Sequence, residues 1–250
     1  MKIAYIFVGH FRTWEKCYQN FFNNIYNVVP GDIFIDTWNK TNCSTTSWWN
    51  NWDGELDEQS KNISQQTPDF KQIVEIYKPN IITINNDPSW LPEDKFWAYN
   101  SKYKNSDAYK HSRSKSKLAI KYVLQSLHNM FNIAIKTNNY DRIFCLRPDI
   151  DFTSTINLEE LKLPGFVTSS SRYNTAKYTQ DIFYHSSPEI IKIKTEFVNH
   201  VDTYWYDKDY TTIDFEAALN EYLSDNKVPI INSSLLFNIP RINNCRSTFN

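Results

Sequence analysis

The sequence predicts an α/β fold: one domain with a mixed, mainly parallel central sheet flanked by helices. Apolar runs typical of buried strands alternate with segments whose apolar residues recur at helical spacing. The 250 residues are 41% hydrophobic and 22% charged, so they can bury a sizeable core, and they contain no internal repeat or low-complexity linker. We therefore expect a single domain over residues 1–250, with residues 1–152 and 153–250 as its two halves.

The first unit along the chain is a strand, a helix and a second strand. Residues 3–8, IAYIFV, form a continuous apolar run that ends at Gly9, as a buried strand does. Apolar side chains recur at helical spacing over residues 14–28, and Thr13 is suited to cap that helix. The stretch DIFIDTW then supplies a strand around residues 33–35. A unit of this length predicts a right-handed crossover between parallel strands.

The remaining elements follow a polar interruption. Residues 41–70 are polar with embedded tryptophans, so we expect an irregular segment there. FKQIVEIYKPNIITI returns to helix and strand, and a basic loop over residues 101–117 precedes a helix from about residue 114 to 136. A strand follows at residues 143–146. Later strands are expected in FVTSS, DIFYHS and VPIINSS, and later helices in SPEIIKIKTEFVNHV and IDFEAALNEYL.

Composition excludes several classes of function. A net charge of -1 creates no field that favours nucleic acid or an anionic membrane. The four glycines, at positions 9, 31, 54 and 165, cannot form GxGxxG or GxxxxGK[ST], so the standard dinucleotide and Walker phosphate loops are excluded. No apolar run approaches the roughly 20 residues that span a bilayer, and the N-terminal run is too short for a signal peptide. The four cysteines lack CxxC spacing, which favours reduced thiols in a cytoplasmic protein.

The first candidate site directly follows the first strand. In open α/β sheets ligands bind beyond the carboxyl ends of strands. Gly9 allows the backbone to approach a ligand closely, and Arg12, two residues after His10, can bind a phosphate through its guanidinium. The alternative is a tight turn with an exposed arginine.

The second candidate site ends the stretch YDRIFCLRPDIDF, residues 140–152. An apolar strand stops at Arg147, and two carboxylates follow, although unpaired buried charge is costly. Asp149 and Asp151 would share one face of an extended strand. There they would suit a hard divalent cation bound with diphosphate oxygens. The alternative is a turn with an Arg–Asp surface pair.

Three further groups of residues are candidates. Lys117 and Lys121 are four residues apart on the predicted helix, so both side chains lie on the same face. The basic loop that precedes this helix would close over a leaving diphosphate. The alternative is that it is an ordinary solvated loop. Asp181, before the apolar IFY, is a candidate general base, and Asp214 and Glu216 are alternative candidates. The last two would also be explained as acidic residues in the first turn of a helix, where they are favourable. The third group is aromatic and suits sugar stacking, core filling or oligomer contact: Trp48, Trp49 and Trp52.

A family resemblance connects these motifs. KIAYIFVGHFRTW, DIFIDTW, YDRIFCLRPDIDF and QDIFYHSSPE, in this order, resemble the small GT-A-type glycosyltransferases of bacterial surface-polysaccharide clusters and large DNA viruses. The resemblance covers about residues 2–190. It implies a GT-A-like (Rossmann-like) domain, a nucleotide-sugar donor, Mn²⁺ or Mg²⁺, and a glycan or other hydroxyl acceptor in polysaccharide or glycoprotein glycan synthesis. It places the protein in the cytoplasm, or in the host cytoplasm or virion if viral.

The motif departs from the usual D-x-D of such enzymes. When Tyr140-Asp141 is aligned with their common YD, Arg147 stands where the first Asp belongs and Asp149 at the third position, with Asp151 as an additional acid. Either the two aspartates form a shifted D-x-D, or Arg147 partly replaces the cation, because arginine neutralises diphosphate charge without a metal. The expected roles are nucleotide binding by Gly9, His10, Arg12, Lys117, Lys121 and Arg147, metal binding by Asp149 and Asp151, and catalysis by Asp149 and Asp181.

Two other functions stay open at this point. A non-catalytic carbohydrate-binding protein would explain the 16% aromatic residues, but not the charged groups at two strand ends. A nucleotidyltransferase would also use a metal and a nucleotide, but the chain has no recognisable glycine-rich phosphate loop. The sequence favours no particular oligomeric state.

Overall fold

The computed structural model describes residues 1–41, 66–86, 113–169, 182–201, 203–204 and 215–239. In these ranges the strands are β1 (Ile3–Val8), β2 (Asp32–Trp38), β3 (Ile81–Asn85), β4 (Arg142–Leu146), β5 (Asp151–Phe152), β6 (Phe166–Ser169), β7 (Phe183–Ser186), β8 (Ile230–Ser233) and β9 (Phe237–Asn238). The α-helices are α1 (Trp14–Phe21), α2 (Phe70–Tyr77), α3 (Arg113–Thr137), α4 (Pro188–Glu196) and α5 (Phe215–Asp225).

Seven strands form one sheet in the order β3-β2-β1-β4-β7-β6-β8. All neighbouring pairs are parallel except the two that β7 makes with β4 and β6. The predicted α/β class with a mixed, mainly parallel sheet is therefore confirmed. Strands from both halves of the chain belong to this sheet. A separate antiparallel ribbon of β5 and β9 was not predicted, because two-residue strands leave no periodic pattern.

Both faces of the central strands are buried, which explains why they are apolar throughout rather than alternating. Even-numbered residues of β1, such as Ile6, pack in the core that includes Leu127 of α3. Odd-numbered residues, such as Tyr5, pack in the core that includes Trp14 of α1 and Ile73 of α2. The sheet is thus the middle layer between helices.

The helix predicted after β1 is divided in two. Its α-helical part ends at Phe21, and a π-helical turn, Phe22–Tyr26, continues it. Thr13 precedes the helix as predicted, but its hydroxyl lies 4.0 Å from the Sγ atom of Cys17 and caps no backbone N–H. Cys17 and Cys145 are free thiols, as the cysteine spacing favoured, and both are buried, whereas Cys43 and Cys245 lie outside the described residues.

Local signals place β3 beside β2. The Asp69 side chain accepts from the backbone N–H of Gln72 and caps α2, and the residue after the helix, Lys78, has a left-handed φ of 45°. Asn80 then accepts from the backbone N–H of Ile33 at 3.1 Å, which aligns the start of β3 with β2. No helix among the described residues is both long and apolar enough to cross a membrane.

A buried polar cluster, formed around Arg142, Glu160 and His185, lies beside β4 and β7, away from the two predicted sites. Arg142 donates to the Nδ1 atom of His185 at 3.1 Å, so the ring proton is on Nε2, which lies 3.9 Å from a Glu160 oxygen. The Glu160 carboxylate also accepts from the hydroxyls of Ser233 and Ser234 at 2.6 Å and from the Ser234 N–H at 2.7 Å. Burial favours the protonated acid, but these donors hold the pKa of Glu160 at about 2. The cluster therefore ties β4 and β7 to the last residue of β8 and to Ser234 after it.

Candidate functional site

The ends of β1 and β4 lie side by side at the carboxyl edge of the sheet. Phe7 pairs with Leu146, so Gly9 and Arg147 follow neighbouring strands at the same edge. Gly9 has a φ of +133°, and a Cβ atom there would lie 3.4 Å from the Cδ atom of Pro148. The structure thus brings the two predicted segments into contact, at a turn whose backbone conformation favours glycine.

The loop after β1 is fixed to the end of β2. The N–H of Gly9 donates to the Asp36 carbonyl at 3.2 Å, and the Thr37 hydroxyl donates to the Gly9 carbonyl at 2.8 Å. The Nδ1 atom of His10 lies 2.9 Å from the Lys40 carbonyl, and the ring stacks on Trp38 at 4.7 Å. Because a carbonyl only accepts, Nδ1 carries the proton, and Nε2 is the basic nitrogen of the neutral ring. The imidazole is therefore held in one orientation.

Arg147 and Asp149 form a bidentate ion pair. The guanidinium donates from Nε to Oδ1 at 2.8 Å and from Nη2 to Oδ2 at 2.5 Å. The residue Asp149 is only 4% exposed, whereas the Arg147 side chain is 34% exposed. Burial would raise the pKa of Asp149, but Arg147, together with the charge of Arg12, holds it below its ordinary value. Asp149 is therefore an ionised partner of Arg147, and the positive charge of Arg12 also acts on it.

Asp149 and Asp151 do not lie on one extended strand, so the expected shared face is wrong. Asp149 belongs to a turn, because Pro148 cannot continue the ladder, and Asp151 begins β5. Asp151 accepts from the Asn20 amide at 2.6 Å, so each carboxylate is already bound by a protein donor. Within the described ranges, no three His, Cys, Asp or Glu side chains are grouped to hold a metal. The role of these two aspartates as metal ligands stays a prediction.

Asp36 is a residue that the sequence analysis missed. It lies at the carboxyl end of β2, is 4% exposed, and accepts from the Asn85 amide at 2.6 Å and from Ser126 of α3. Burial, the largest cause, raises its pKa to about 6, although both hydrogen bonds lower it. The sequence does indicate this residue: Asp36 is an acid within an apolar strand, and it shares one face of that strand with Phe34 and Trp38.

The other predicted site residues are only partly described. Asp181, Asp214 and the three tryptophans lie outside the described residues. Ile182, immediately after Asp181, accepts through its carbonyl from the Arg147 N–H at 3.2 Å. Glu216 lies in the first turn of α5, as the acidic-turn alternative predicted.

The two lysines lie on α3, and only their backbone is described. The C-terminal end of this helix is near Tyr140, whose hydroxyl donates to Asp32 at the amino end of β2. Ser126 reaches Asp36 at the opposite end of the same strand. Because Lys117 and Lys121 precede Ser126 in the helix, their backbone lies towards the carboxyl edge of the sheet, on the face that α3 covers.

No protein-family model matches the chain, and no curated protein matches it significantly. Proposals about function therefore rest on the motifs and on this geometry.

Proposed function

We propose that the protein is a glycosyltransferase that moves a sugar from a nucleotide-sugar donor to a hydroxyl of a glycan acceptor. The observation that carries this proposal is the contact of the Gly9–Arg12 loop with the Arg147–Asp149 turn at the carboxyl edge of the sheet. Ligands of open α/β sheets bind at this edge, and paired guanidinium groups suit the charge of a diphosphate.

The reaction requires charge stabilisation on the leaving group. As the bond from the sugar to the diphosphate breaks, negative charge develops on the diphosphate oxygens, and fixed cationic donors stabilise it without reorganising. Arg12 and Arg147 are the donors proposed here. Asp149 is a positioning residue, because its two hydrogen bonds hold the guanidinium plane of Arg147. Asp181 remains the proposed base that takes the acceptor proton.

The nucleotide part of this proposal is tested first by thermal shift with UDP, GDP, CDP and their sugar conjugates. A ligand that binds only the folded state raises the unfolding midpoint. A shift with nucleotides supports the proposal. A shift with free glycans and none with any nucleotide would instead favour the carbohydrate-binding alternative.

Arg12→Ala is expected to weaken nucleoside diphosphate binding by about 1–3 kcal/mol, roughly 5- to 150-fold, because a charge-assisted hydrogen bond is lost. Calorimetric titration measures this directly. Arg12→Lys keeps the charge but loses the planar fork, so its affinity should be intermediate. Lys162→Ala removes a cation that pairs with Glu159 at the surface and serves as the control. Unchanged affinity in a folded Arg12→Ala protein would remove Arg12 from the site.

Transfer activity is expected to persist in excess EDTA, because the arginines already supply positive charge where a cation would bind. The measurement is the initial rate of transfer with EDTA and after back-addition of Mn²⁺ or Mg²⁺. Loss of activity in EDTA with recovery on Mn²⁺ would contradict this expectation. It would favour the predicted cation at Asp149 and Asp151.

A further inference from the structure

Two asparagines of the first helical segment hold the chain that follows the Arg147–Asp149 turn. Asn20 of α1 donates from Nδ2 to Oδ1 of Asp151 at 2.6 Å, and Asn24 of the π-helical turn donates from Nδ2 to the Phe152 carbonyl at 2.7 Å. Both hydrogen bonds are partly buried, and they join residues 131 and 128 positions apart in the sequence. They connect α1 and its π-helical continuation to β5.

The π-helical turn makes the backbone of Asn24 available for this connection. The Val28 N–H, which would bond to the Asn24 carbonyl in a regular α-helix, donates instead to the Ile25 carbonyl at 3.1 Å. The Asn24 carbonyl accepts from the Ile156 N–H at 3.0 Å, and the side-chain oxygen accepts from the Thr155 hydroxyl at 3.2 Å. Asn24 thus binds the segment that follows β5 through three of its polar groups, and π-helical turns occur frequently at functional sites.

The two connected elements each continue from one of the arginines of the proposed phosphate site. Arg12 lies shortly before α1, and Arg147 lies shortly before β5. The ladder between β1 and β4 ends before either arginine. Cys17 of α1 lies near the turn, since burial, with the charges of Asp149 and Asp151 as lesser causes, raises the pKa of its thiol to about 12. The separation of the two arginines therefore depends on how α1 and β5 are held together.

We propose that the hydrogen bond from Asn20 to Asp151 is a positioning contact that sets the separation of the Arg12 and Arg147 guanidinium groups. Asp151 then acts through this bond and not as a ligand of a cation. The inference rests on the proposed nucleotide-sugar function and deepens it. A diphosphate that contacts both guanidinium groups depends on their separation, whereas a monophosphate can be held by one of them. The contact thus favours nucleoside diphosphates over monophosphates.

The test exchanges the two side chains of the pair in the full chain. Asn20→Asp places two carboxylates against each other. Combining it with Asp151→Asn restores a hydrogen bond of opposite direction and the net charge of wild type. Calorimetry at pH 7.5 measures the affinities for UDP and UMP, and for GDP and GMP. Asn20→Asp should weaken diphosphate binding by about tenfold and monophosphate binding by no more than about twofold, and the double variant should return to within about threefold of wild type.

Asn23→Asp is the matched control, because it adds the same charge at an exposed position of the π-helical turn. It should leave the ratio of diphosphate to monophosphate affinity unchanged. Thermal unfolding shows whether each variant is folded in the assay buffer. If Asn20→Asp does not fold, Asn20→Ala removes the donor without adding charge, and it should weaken diphosphate binding alone by about three- to fivefold.

The outcomes separate this inference from the function on which it rests. Equal losses for diphosphates and monophosphates would show a purely structural contact and overturn the inference alone. A double variant that stays as weak as Asn20→Asp would also overturn it, because position 151 would then need a carboxylate, as the predicted cation site does. Absence of any nucleotide binding by wild type would overturn the proposed function and this inference with it.

Discussion

Asp149→Asn is expected to lower turnover by about 100-fold, because it frees the Arg147 guanidinium from its fixed position, and losing one fixed charge-stabilising donor usually costs about this much. The variant keeps the size of the side chain but replaces one acceptor oxygen with an NH₂ group that faces the Arg147 guanidinium. Arg147 then loses its bidentate partner and its fixed plane. The measurement is the initial rate at saturating donor, with the fraction of folded protein determined in the same buffer.

The same change should also lower the free energy of unfolding by about 1–3 kcal/mol. Breaking a fully buried ion pair costs more, but the Arg147 side chain is 34% exposed, so solvent screens part of the loss. Assays must therefore be run well below the unfolding midpoint of the variant.

Two comparisons separate positioning from a purely structural role. If Asp149 acts through Arg147, Arg147→Gln and the double variant should lose about as much turnover as Asp149→Asn, whereas independent residues would show additive losses. Asp151→Asn should be milder, since that carboxylate accepts from Asn20 and lies in β5. A larger loss in Asp151→Asn would favour the shifted D-x-D motif, and near-normal turnover of Asp149→Asn would contradict the role of Asp149.

Glu160→Gln is expected to lower the free energy of unfolding at pH 7 by about 1–3 kcal/mol, because its NH₂ group would face either the two Ser234 donors at the Oε1 position or the Ser233 hydroxyl at the Oε2 position. The pKa of about 2 lies below the ordinary 4.5. The stabilisation is thus complete above pH 4.5 and is lost as the pH falls from 4.5 to 2. Denaturation curves across this range should show the difference from wild type shrinking towards the acid end.

Glu159→Gln provides the matched control, since its carboxylate is exposed and pairs with Lys162 at the surface, where an ion pair contributes little. His185 strengthens the acid sensitivity of the cluster, because burial, the main cause, lowers its pKa below 6.5, so protonation below that pH favours unfolding. Equal stability of the Glu160→Gln and Glu159→Gln proteins would show that the buried cluster contributes nothing beyond a surface pair.

The strands and helices that surround the site could be predicted because their signals are local. The apolar run of β1 and the helical spacing in α3 each lie within one stretch of chain, and both elements appear close to the expected bounds. The position of Arg147 at a strand end was equally local. Its bidentate contact with Asp149 was not, since the turn at Pro148 replaced the extended strand on which the predicted metal pair depended.

Only the tertiary structure shows which charged side chains are buried and which groups they hydrogen-bond. Asp36 is visible in the sequence as an acid in DIFIDTW, but its high pKa arises only when α3 and β3 cover it and bring Ser126 and Asn85 to its oxygens. Glu160 finds its serine donors more than 70 residues later in the chain. The order of apolar and polar residues along the chain thus specifies the elements and the strand ends where charge is placed. The protonation and pairing of each charge depend on distances between segments remote in sequence, because electrostatic free energy is set by the surrounding atoms in space.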